Sequence, residues 1–372
     1  MKKVLLVATV QSHICQFHKP LISLLKSHGV EVHVAARDNL AEKNGLKLEG
    51  ADKVFNVPFS RSPFSLKNLK AYRQLKKIIK AENYDVIHCN TPVSGVLTRI
   101  AAKKARKKGT KVFYTAHGFH FYHGAPKKNW LIWYPIEKHF AKRTDTLITI
   151  NNEDYELASK KFKTNVVHVH GVGVSEGKYH TVDKDENLKM REKEGLSEKD
   201  FVILCTGELN KNKNQRVLIS AVAEIKEKIP NVKLLLAGNG PKDAELKEQV
   251  KALGLEKEVR FLGYRTDLDK VVPVADVIAS CSLREGLPCN IVEAMLAKKT
   301  VVASKNRGHS ELIEDKVSGF ICDPENPHEF ANAILSAYNK ECENMGEKAH
   351  DASSAYVEEN VIKELKEVYG LK

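Results

Sequence analysis

Two glutamates, Glu285 and Glu293, lie eight positions apart on either side of a Gly-Leu-Pro turn. The pattern around them predicts a strand that ends near residue 279, a loop to residue 288 and a helix from about residue 290. The amides of Gly286 and Leu287 then precede a helix N-terminus, whose partial positive charge and unpaired N–H groups attract phosphate. A diphosphate held there, with a carboxylate at each end, suits a nucleotide-sugar. The spacing alone is equally compatible with an ordinary helix that has an acidic first turn.

The longer stretch 282–297, Ser-Leu-Arg-Glu-Gly-Leu-Pro-Cys-Asn-Ile-Val-Glu-Ala-Met-Leu-Ala, resembles the nucleotide-sugar signature of glycosyltransferase family 4. Members of that family are retaining enzymes of the GT-B fold. The resemblance implies an α/β protein with two Rossmann-like domains facing across a cleft and a C-terminal helix that crosses back to the first domain. It also implies that Glu285 is catalytic and orients hydroxyls of the donor sugar, that Glu293 holds the ribose, and that Arg284 borders the donor.

A second loop, from Gly207 to Asn214, follows one strand and opens a helix. The family has an Arg directly after this glycine and a Lys five residues further on, near the donor diphosphate. Lys213 matches the lysine and is expected to be catalytic, whereas Glu208 stands where the Arg is usual. Lys211 or Arg284 is expected to compensate. Taken alone, the segment also fits an exposed basic helix start.

Two further strand ends resemble the part of the family site near the nucleotide base. Gly238 begins a Gly-Asn-Gly-Pro turn, and Tyr264 and Arg265 follow the next strand. A dinucleotide fingerprint would need a third glycine where Asp243 stands, so a Rossmann dehydrogenase is not supported. A tight turn between strand and helix explains Gly238 nearly as well.

Twelve of the fifteen histidines precede residue 181. His117 closes the fifth strand and matches the family's histidine near the donor sugar, so it is expected in the active site. His13 and His18 lie in a stretch that resembles a bacterial exopolysaccharide and capsule subgroup. They and His120 are candidate acceptor contacts, although His13 is equally explained as a helix cap. The histidines lack a metal-ligand pattern such as His-Glu-x-x-His.

Metal and cofactor chemistry are not expected. The two Asp-x-Asp patterns, at 183–185 and 267–269, are typical of helix starts. The seven cysteines are scattered without a Cys-x-x-Cys motif, which indicates reduced thiols rather than disulfides or zinc.

The net positive charge of the chain comes entirely from its first half. Residues 1–180 carry 31 Lys and Arg against 13 Asp and Glu, a net +18, whereas residues 181–372 carry a net −5. This predicts an anionic partner for the first half: anionic lipid headgroups, a lipid diphosphate or nucleic acid. A lysine-rich surface that only maintains solubility stays an alternative. With 7% aromatic residues and no stacking motif, nucleic acid is not the expected partner. The stretch 127–143 holds both tryptophans and several cations, which suits either a membrane interface or a core.

The length of 372 residues suggests two domains. Strand-like and helix-like segments alternate in both halves, which is typical of doubly wound parallel sheets. We expect an acceptor-binding domain over 1–175 plus the helix at about 354–372, and a nucleotide-sugar-binding domain over 176–353. A glycine hinge at 171–177 and a polar linker at 183–200 would join them. Strands are predicted at 3–9, 30–35, 53–57, 85–89, 110–115, 145–150, 165–170, 201–205, 232–236, 258–262, 276–279, 300–303 and 318–321. Helices are predicted near 17–28, 65–82, 93–108, 129–142, 152–162, 213–228, 241–253, 290–298, 309–315, 326–343 and 356–369.

These features predict a retaining, metal-independent glycosyltransferase. Its donor would be a UDP-linked sugar and its acceptor a saccharide on a polyprenyl diphosphate, in exopolysaccharide or capsule synthesis. No apolar run approaches the ~20 residues that span a bilayer, so a cytoplasmic protein, peripheral on the inner face of the membrane, is expected. The alternatives are a nucleotide-sugar epimerase of the GT-B fold and a non-enzymatic basic protein that binds nucleic acid.

Overall fold

A computed structural model describes residues 1–43, 46–341 and 344–371. The chain divides into two compact units, the first formed by Met1–Gly173 with Glu358–Lys372 and the second by Val174–Val357. Each unit is built on one fully parallel sheet with helices on both faces.

The first unit contains a seven-stranded sheet in the order β3-β2-β1-β4-β5-β6-β7. Residues 4–8 of its central strand have no exposed surface, because apolar clusters cover both faces of the sheet. The strands are β1 (Lys3–Val10), β2 (Glu31–Arg37), β3 (Lys53–Asn56), β4 (Val86–Asn90), β5 (Lys111–Ala116), β6 (Thr146–Thr149) and β7 (Asn165–His168).

The helices of the first unit connect successive strands and cover the sheet. In α3 the residues Ala71, Leu75, Ile78 and Ile79 are buried, at the spacing of one helical face. The helices are α1 (Gln11–Phe17), α2 (Lys19–Ser27), α3 (Lys67–Glu82), α4 (Pro92–Ala101), α5 (Lys103–Arg106), α6 (Lys127–Ala141), α7 (Asn152–Lys161) and, from the end of the chain, α16 (Glu358–Tyr369).

The C-terminal helix α16 packs on the first unit, as the GT-B resemblance implied. Val361 has no exposed surface, and Tyr369 lies in the same apolar cluster as β1 and β2. The Tyr369 hydroxyl is 2.6 Å from Nδ1 of the buried His88.

The second unit contains a six-stranded sheet in the order β10-β9-β8-β11-β12-β13. Its strands are β8 (Phe201–Thr206), β9 (Val232–Ala237), β10 (Val259–Gly263), β11 (Val277–Ser280), β12 (Thr300–Ser304) and β13 (Phe320–Cys322). Its helices are α8 (Lys184–Lys193), α9 (Gln215–Ile225), α10 (Asp243–Ala252), α11 (Leu268–Val271), α12 (Cys289–Leu296), α13 (Arg307–Leu312), α14 (Pro327–Tyr338) and α15 (Met345–Asp351).

All thirteen strands agree with the predicted positions, but several helices differ. The polar stretch expected to be a linker instead forms α8, and Asp183 caps it by accepting a hydrogen bond from the amide of Glu186. This helix was not predicted because its apolar face is weak. The helix predicted at 17–28 is α2, but an additional helix, α1, begins directly after β1 at Gln11. His13 lies inside α1, so the capping role is wrong.

The other differences lie near the C-terminus. Helix α14 ends at Tyr338 rather than 343, and α15 was not predicted. Positions 342 and 343 of the predicted helix, including Cys342, lie outside the described residues. The six described cysteines are free thiols, as expected.

Candidate functional site

The loops after β8 and β11 meet where the strand order of the second sheet reverses. In parallel sheets the crevice at this switch point, beyond the carboxyl ends of the strands, is where ligands bind. The 281–288 loop follows β11 and leads into α12, which begins at Cys289, one residue before the predicted start. The 207–214 loop follows β8 and leads into α9. The two segments singled out in the sequence therefore lie side by side.

Lys213 and Glu285 form an ion pair between these loops. Nζ of Lys213 lies 2.8 Å from Oε1 of Glu285, with side chains only 23% and 16% exposed. Burial opposes the charge on each group, but the opposite charge of the partner outweighs it. The pKa of Glu285 is therefore below its ordinary value and that of Lys213 above. Both groups are ionised at neutral pH.

The backbone of the 281–288 loop is held by Asn212 and leaves two amides unbonded. Asn212 accepts from the amide of Leu283 at 2.7 Å and donates from Nδ2 to the carbonyl of Arg284 at 3.0 Å. Among the described residues, the amides of Gly286 and Leu287 have no hydrogen-bond acceptor. Two such amides directly before a helix N-terminus are suited to an anionic oxygen.

Glu293 lies inside α12, and about half of its carboxyl groups are protonated near pH 7. Burial raises its pKa to about 7, although the hydrogen bond with Tyr179 and the charge of Lys213 oppose the rise. The carboxyl group thus holds a proton that a polar ligand can displace.

Gly238 supports the 207–214 loop, and its proximity to a nucleotide base stays a prediction. A Cβ on Gly238 would lie 1.9 Å from the carbonyl oxygen of Gly207, so only glycine allows the two turns to touch. Leu209 completes the contact, because its amide donates to the carbonyl of Asn239 at 3.1 Å and its carbonyl accepts from Lys242 at 2.9 Å. The tight-turn explanation accounts for this glycine.

The guanidinium of Arg265 forms ion pairs with two acidic residues. It contacts Asp267 at 2.7 Å and Glu194 at 2.8 Å, and hydrogen bonds to these partners raise its pKa. Tyr264 precedes it and is half-buried. The proposed proximity of these two residues to a nucleotide base stays a prediction.

Glu208 and the two cations expected to compensate for it, Lys211 and Arg284, have different partners. Glu208 is exposed and accepts a hydrogen bond from Asn210 Nδ2 at 2.9 Å. The guanidinium of Arg284 and the ammonium group of Lys211 have no acidic partner among the described residues. Both cations are therefore available to an anion.

Gly308 and His309, in α13, lie beside the 281–288 loop, and neither was a predicted site residue. A Cβ on Gly308 would lie 2.9 Å from both Cβ of Glu285 and the carbonyl oxygen of Gly286. His309 is fully buried and donates from Nδ1 to the Ser304 carbonyl at 2.7 Å. Burial lowers the pKa of His309 to about 4, so it is neutral. The glycine after β12 was the sequence signal that could have identified this contact.

The first unit has a comparable crevice at its own switch point, between β1 and β4. A cavity of about 420 Å³ opens there, lined by the β1–α1 and β4–α4 junctions together with Arg61, His120 and Trp133. His13 and His120 line this cavity, whereas His18 and His117 lie beside a smaller void of about 20 Å³. The candidate acceptor contacts are therefore divided between two spaces.

His117 follows β5 directly, as predicted, and belongs to a histidine cluster. Its Nε2 lies 3.3 Å from Nε2 of His13 and 3.2 Å from Oδ1 of Asn90. The His18 ring centroid is 5.8 Å from that of His117. This cluster was not predicted, because its members come from separate elements.

Two other residues at this cavity were also missed. Arg61 is exposed at its edge and adds a positive charge. Thr91 has φ of 63°, a rare conformation for a β-branched residue, and its hydroxyl lies 2.7 Å from those of Thr9 and Ser94. Such strain is typical of binding sites.

Helix α6 spans the stretch for which both a membrane and a core role were considered. Trp130 and Trp133 are half-buried and pack on the core, whereas Leu131 and Ile132 are exposed at 77% and 53%. In the part of the chain that the structure describes, no helix is both long and apolar enough to cross a membrane.

Comparison with known proteins identifies the family. Residues 186–353 match the model described as glycosyl transferases group 1, and residues 3–151 match glycosyl transferase 4-like. The chain is 42% identical to EpsD of Bacillus subtilis (strain 168), to which glycosyltransferase activity is ascribed, over 99% of this chain and 96% of that protein. It is 29% identical to an Escherichia coli UDP-Gal:alpha-D-GlcNAc-diphosphoundecaprenol alpha-1,3-galactosyltransferase, over 80% of each.

Solved structures support the same fold. Anabaena Alr3699/HepE, in complex with UDP and glucose, superposes with a TM-score of 0.80 at 24% identity over the full length of both chains. A sucrose-phosphate synthase from Thermosynechococcus elongatus superposes with a TM-score of 0.78 at 16% identity. At these identities the likeness establishes the fold alone.

Proposed function

Because this chain belongs to the group 1, family 4-like bacterial glycosyltransferases of the GT-B fold, we propose that it is a retaining enzyme that uses a UDP-sugar. The acceptor is a saccharide on a polyprenyl diphosphate, and the product serves extracellular polysaccharide synthesis. The names of the EpsD and diphosphoundecaprenol relatives support these assignments.

The observation that carries this proposal is the pair of unbonded amides at the switch point of the second unit. Gly286 and Leu287 offer two N–H donors beside the cation of Lys213. The Lys213–Glu285 pair gives the site both signs of charge in the unliganded protein. A donor diphosphate can replace Glu285 as the ionic partner of Lys213. The Glu285 carboxylate is then free to accept hydrogen bonds from hydroxyls of the sugar. Glu293 accepts from the ribose as it loses its proton.

In the proposed reaction the bond between the sugar C1 and the leaving phosphate oxygen breaks. An acceptor hydroxyl attacks the same face of C1, and its proton passes to the leaving diphosphate oxygen. Charge grows on the diphosphate during this step, and the two amides and Lys213 stabilise it electrostatically. No protein nucleophile and no metal ion are required, and His117 contacts the donor sugar.

The acceptor is assigned to the first unit. Its 420 Å³ cavity carries Arg61, His13 and His120, which suit a sugar and a diphosphate. The net +18 of residues 1–180 favours an anionic membrane surface, and the exposed Leu131 and Ile132 can enter its interface. We assign the protein to the cytoplasmic face, bound peripherally. Co-sedimentation with anionic but not zwitterionic vesicles tests this assignment.

Three variants test the chemical roles: Glu285→Gln, Glu293→Ala and Lys213→Ala. Loss of one electrostatic group of this kind costs about 10²- to 10³-fold in kcat, so each variant should lose most transfer. Glu248→Gln and Lys251→Ala, at exposed positions of α10, are matched controls that should keep full activity. Near-wild-type rates in all three site variants would sink the assigned roles.

A thermal-shift panel of nucleoside diphosphates and their sugars identifies the donor. A ligand at 100 times its Kd stabilises by about 2.7 kcal/mol, so the true donor should raise Tm clearly above the others. Nucleotide release that proceeds without an acceptor would instead favour an epimerase.

A further inference from the structure

Three imidazoles of the first unit converge from separate elements. His13 lies in α1, His18 between α1 and α2, and His117 after β5. One ligand nitrogen from each lies within 4.8 Å of the other two. Across the described residues, this is the one group of three or more His, Cys, Asp or Glu side chains with the geometry to share an ion.

The spacing of two of these nitrogens already matches a tetrahedral metal centre. Zinc–nitrogen bonds of about 2.0–2.1 Å at tetrahedral angles place two ligand nitrogens about 3.3 Å apart. Nε2 of His13 and Nε2 of His117 are 3.3 Å apart. The ligand nitrogen of His18 lies no more than 4.8 Å from the other two. A side-chain movement of about 1.5 Å is therefore enough to bring it to the tetrahedral spacing of about 3.3 Å.

His18 provides an independent sign of a missing partner. Its side chain is 5% exposed, and its Nε2 is buried with no hydrogen bond. A buried nitrogen left in this way costs about 1–3 kcal/mol. The adjacent His88 differs, because both of its ring nitrogens are bonded, to Tyr369 and Thr115. The cluster therefore offers three ligands rather than four.

The charge state of the cluster also suits a metal. Burial lowers the pKa of His13 and His18 well below the ordinary 6.5, and lowers that of His117 to about 4. All three imidazoles are neutral at pH 7, the form that binds metal.

We propose that His13, His18 and His117 form a binding site for a divalent transition metal ion of the zinc class. Three neutral imidazoles with a fourth position left open are typical of such ions. The consequence for transfer rests on the proposed function: His117 cannot bind metal and donor sugar together, so an occupied site inhibits the enzyme. In the metal-free state Asn90 holds the same His117 nitrogen at 3.2 Å.

Zinc chloride titrated into the chelator-treated full-length protein, followed by calorimetry, tests the site. We expect one equivalent of zinc to bind to the wild type. Zinc affinity should fall at least about 100-fold in each of His13→Ala, His18→Ala and His117→Ala. Loss of an outer-shell partner alone costs up to about 100-fold, so loss of a direct ligand should cost at least as much. His139→Ala, at an exposed position of α6, should bind as the wild type does. Circular dichroism first establishes that each variant is folded. His13, which is only half-buried, tests the site even if His18→Ala does not fold. No binding by the wild type, or equal binding by wild type and His13→Ala, would overturn the proposal.

Two further measurements on the same samples separate this site from the proposed function. UDP should raise the Tm of the chelator-treated protein, and saturating zinc should abolish transfer reversibly. If UDP stabilises and zinc does not bind, only the metal site is wrong. If zinc binds through the three histidines and no nucleotide stabilises, only the proposed function is wrong. Full transfer activity with zinc bound would refute the inhibition.

Discussion

Replacing Glu293 by Gln should stabilise the unliganded protein at alkaline pH while weakening its nucleotide binding. The carboxyl group has a pKa of about 7 in the folded protein against an ordinary 4.5, because burial disfavours its charge. Between these two values the folded protein retains a proton that the unfolded chain has lost. The free energy of unfolding therefore falls as pH rises from about 4.5 to 7, and the loss is complete above that.

The size of the effect follows from the two pKa values. Their difference corresponds to about 3 kcal/mol, and because Glu293 is half-buried and water reaches it, we expect about 1–3 kcal/mol. Glutamine keeps the shape and the contact with Tyr179 but cannot ionise. The variant should match the wild type near pH 4.5 and exceed it by this amount at pH 8.

Urea unfolding of wild type and variant at both pH values measures this difference. Both tryptophans lie in the first unit, so far-UV circular dichroism should follow the transition of the second unit. Glu248→Gln, an exposed control, should show no pH-dependent difference. If binding requires ionised Glu293, the affinity of the wild type for UDP should fall up to about tenfold per pH unit below 7, and that of Glu293→Gln should not. A variant that is no more stable than the wild type at pH 8 would refute the reasoning.

Three further substitutions have defined outcomes. Gly308→Ala places a methyl group 2.9 Å from the 281–288 loop. It should lower the free energy of unfolding by about 1–3 kcal/mol and remove most of the UDP affinity measured by calorimetry. Gly177→Ala, whose methyl group would meet only the Ser175 hydroxyl at 3.8 Å, should change neither. Glu208→Arg replaces an exposed acid with a cation beside the proposed diphosphate and should tighten UDP binding by up to about tenfold, more at low salt; unchanged affinity would contradict this placement. Arg99→Met leaves the buried carboxylate of Glu137 without its partner at 3.0 Å and should lower the free energy of unfolding by about 3–5 kcal/mol, most of which the additional substitution Glu137→Leu should recover in the same denaturation assay.

The strand positions were predictable because buried parallel strands have continuous apolar runs. The start of α12 was also predictable. Pro288 and the apolar residues after it limit where a helix can begin. Helix α8 was not, because its surface is almost wholly polar and one N-cap carboxylate, Asp183, was its main signal.

The candidate sites were predictable only as far as their residues lie close in sequence. Glu285 and Glu293 stand in one segment, and the family resemblance links them to Lys213. Nothing in the linear order places His13 beside His117, because parallel strands bring together loops that lie about a hundred residues apart. The left-handed backbone of Thr91 likewise depends on packing rather than on its own preference.

The position of α16 has a consequence for synthesis of the chain on the ribosome. Val361 and Tyr369 complete the apolar interior of the first unit, yet they are translated after the whole of the second unit. The first unit therefore stays incomplete until the last residues emerge from the ribosome. Until then His88 lacks the hydroxyl of Tyr369, and part of the apolar interior is uncovered. During that interval the nascent chain exposes a surface that chaperones recognise.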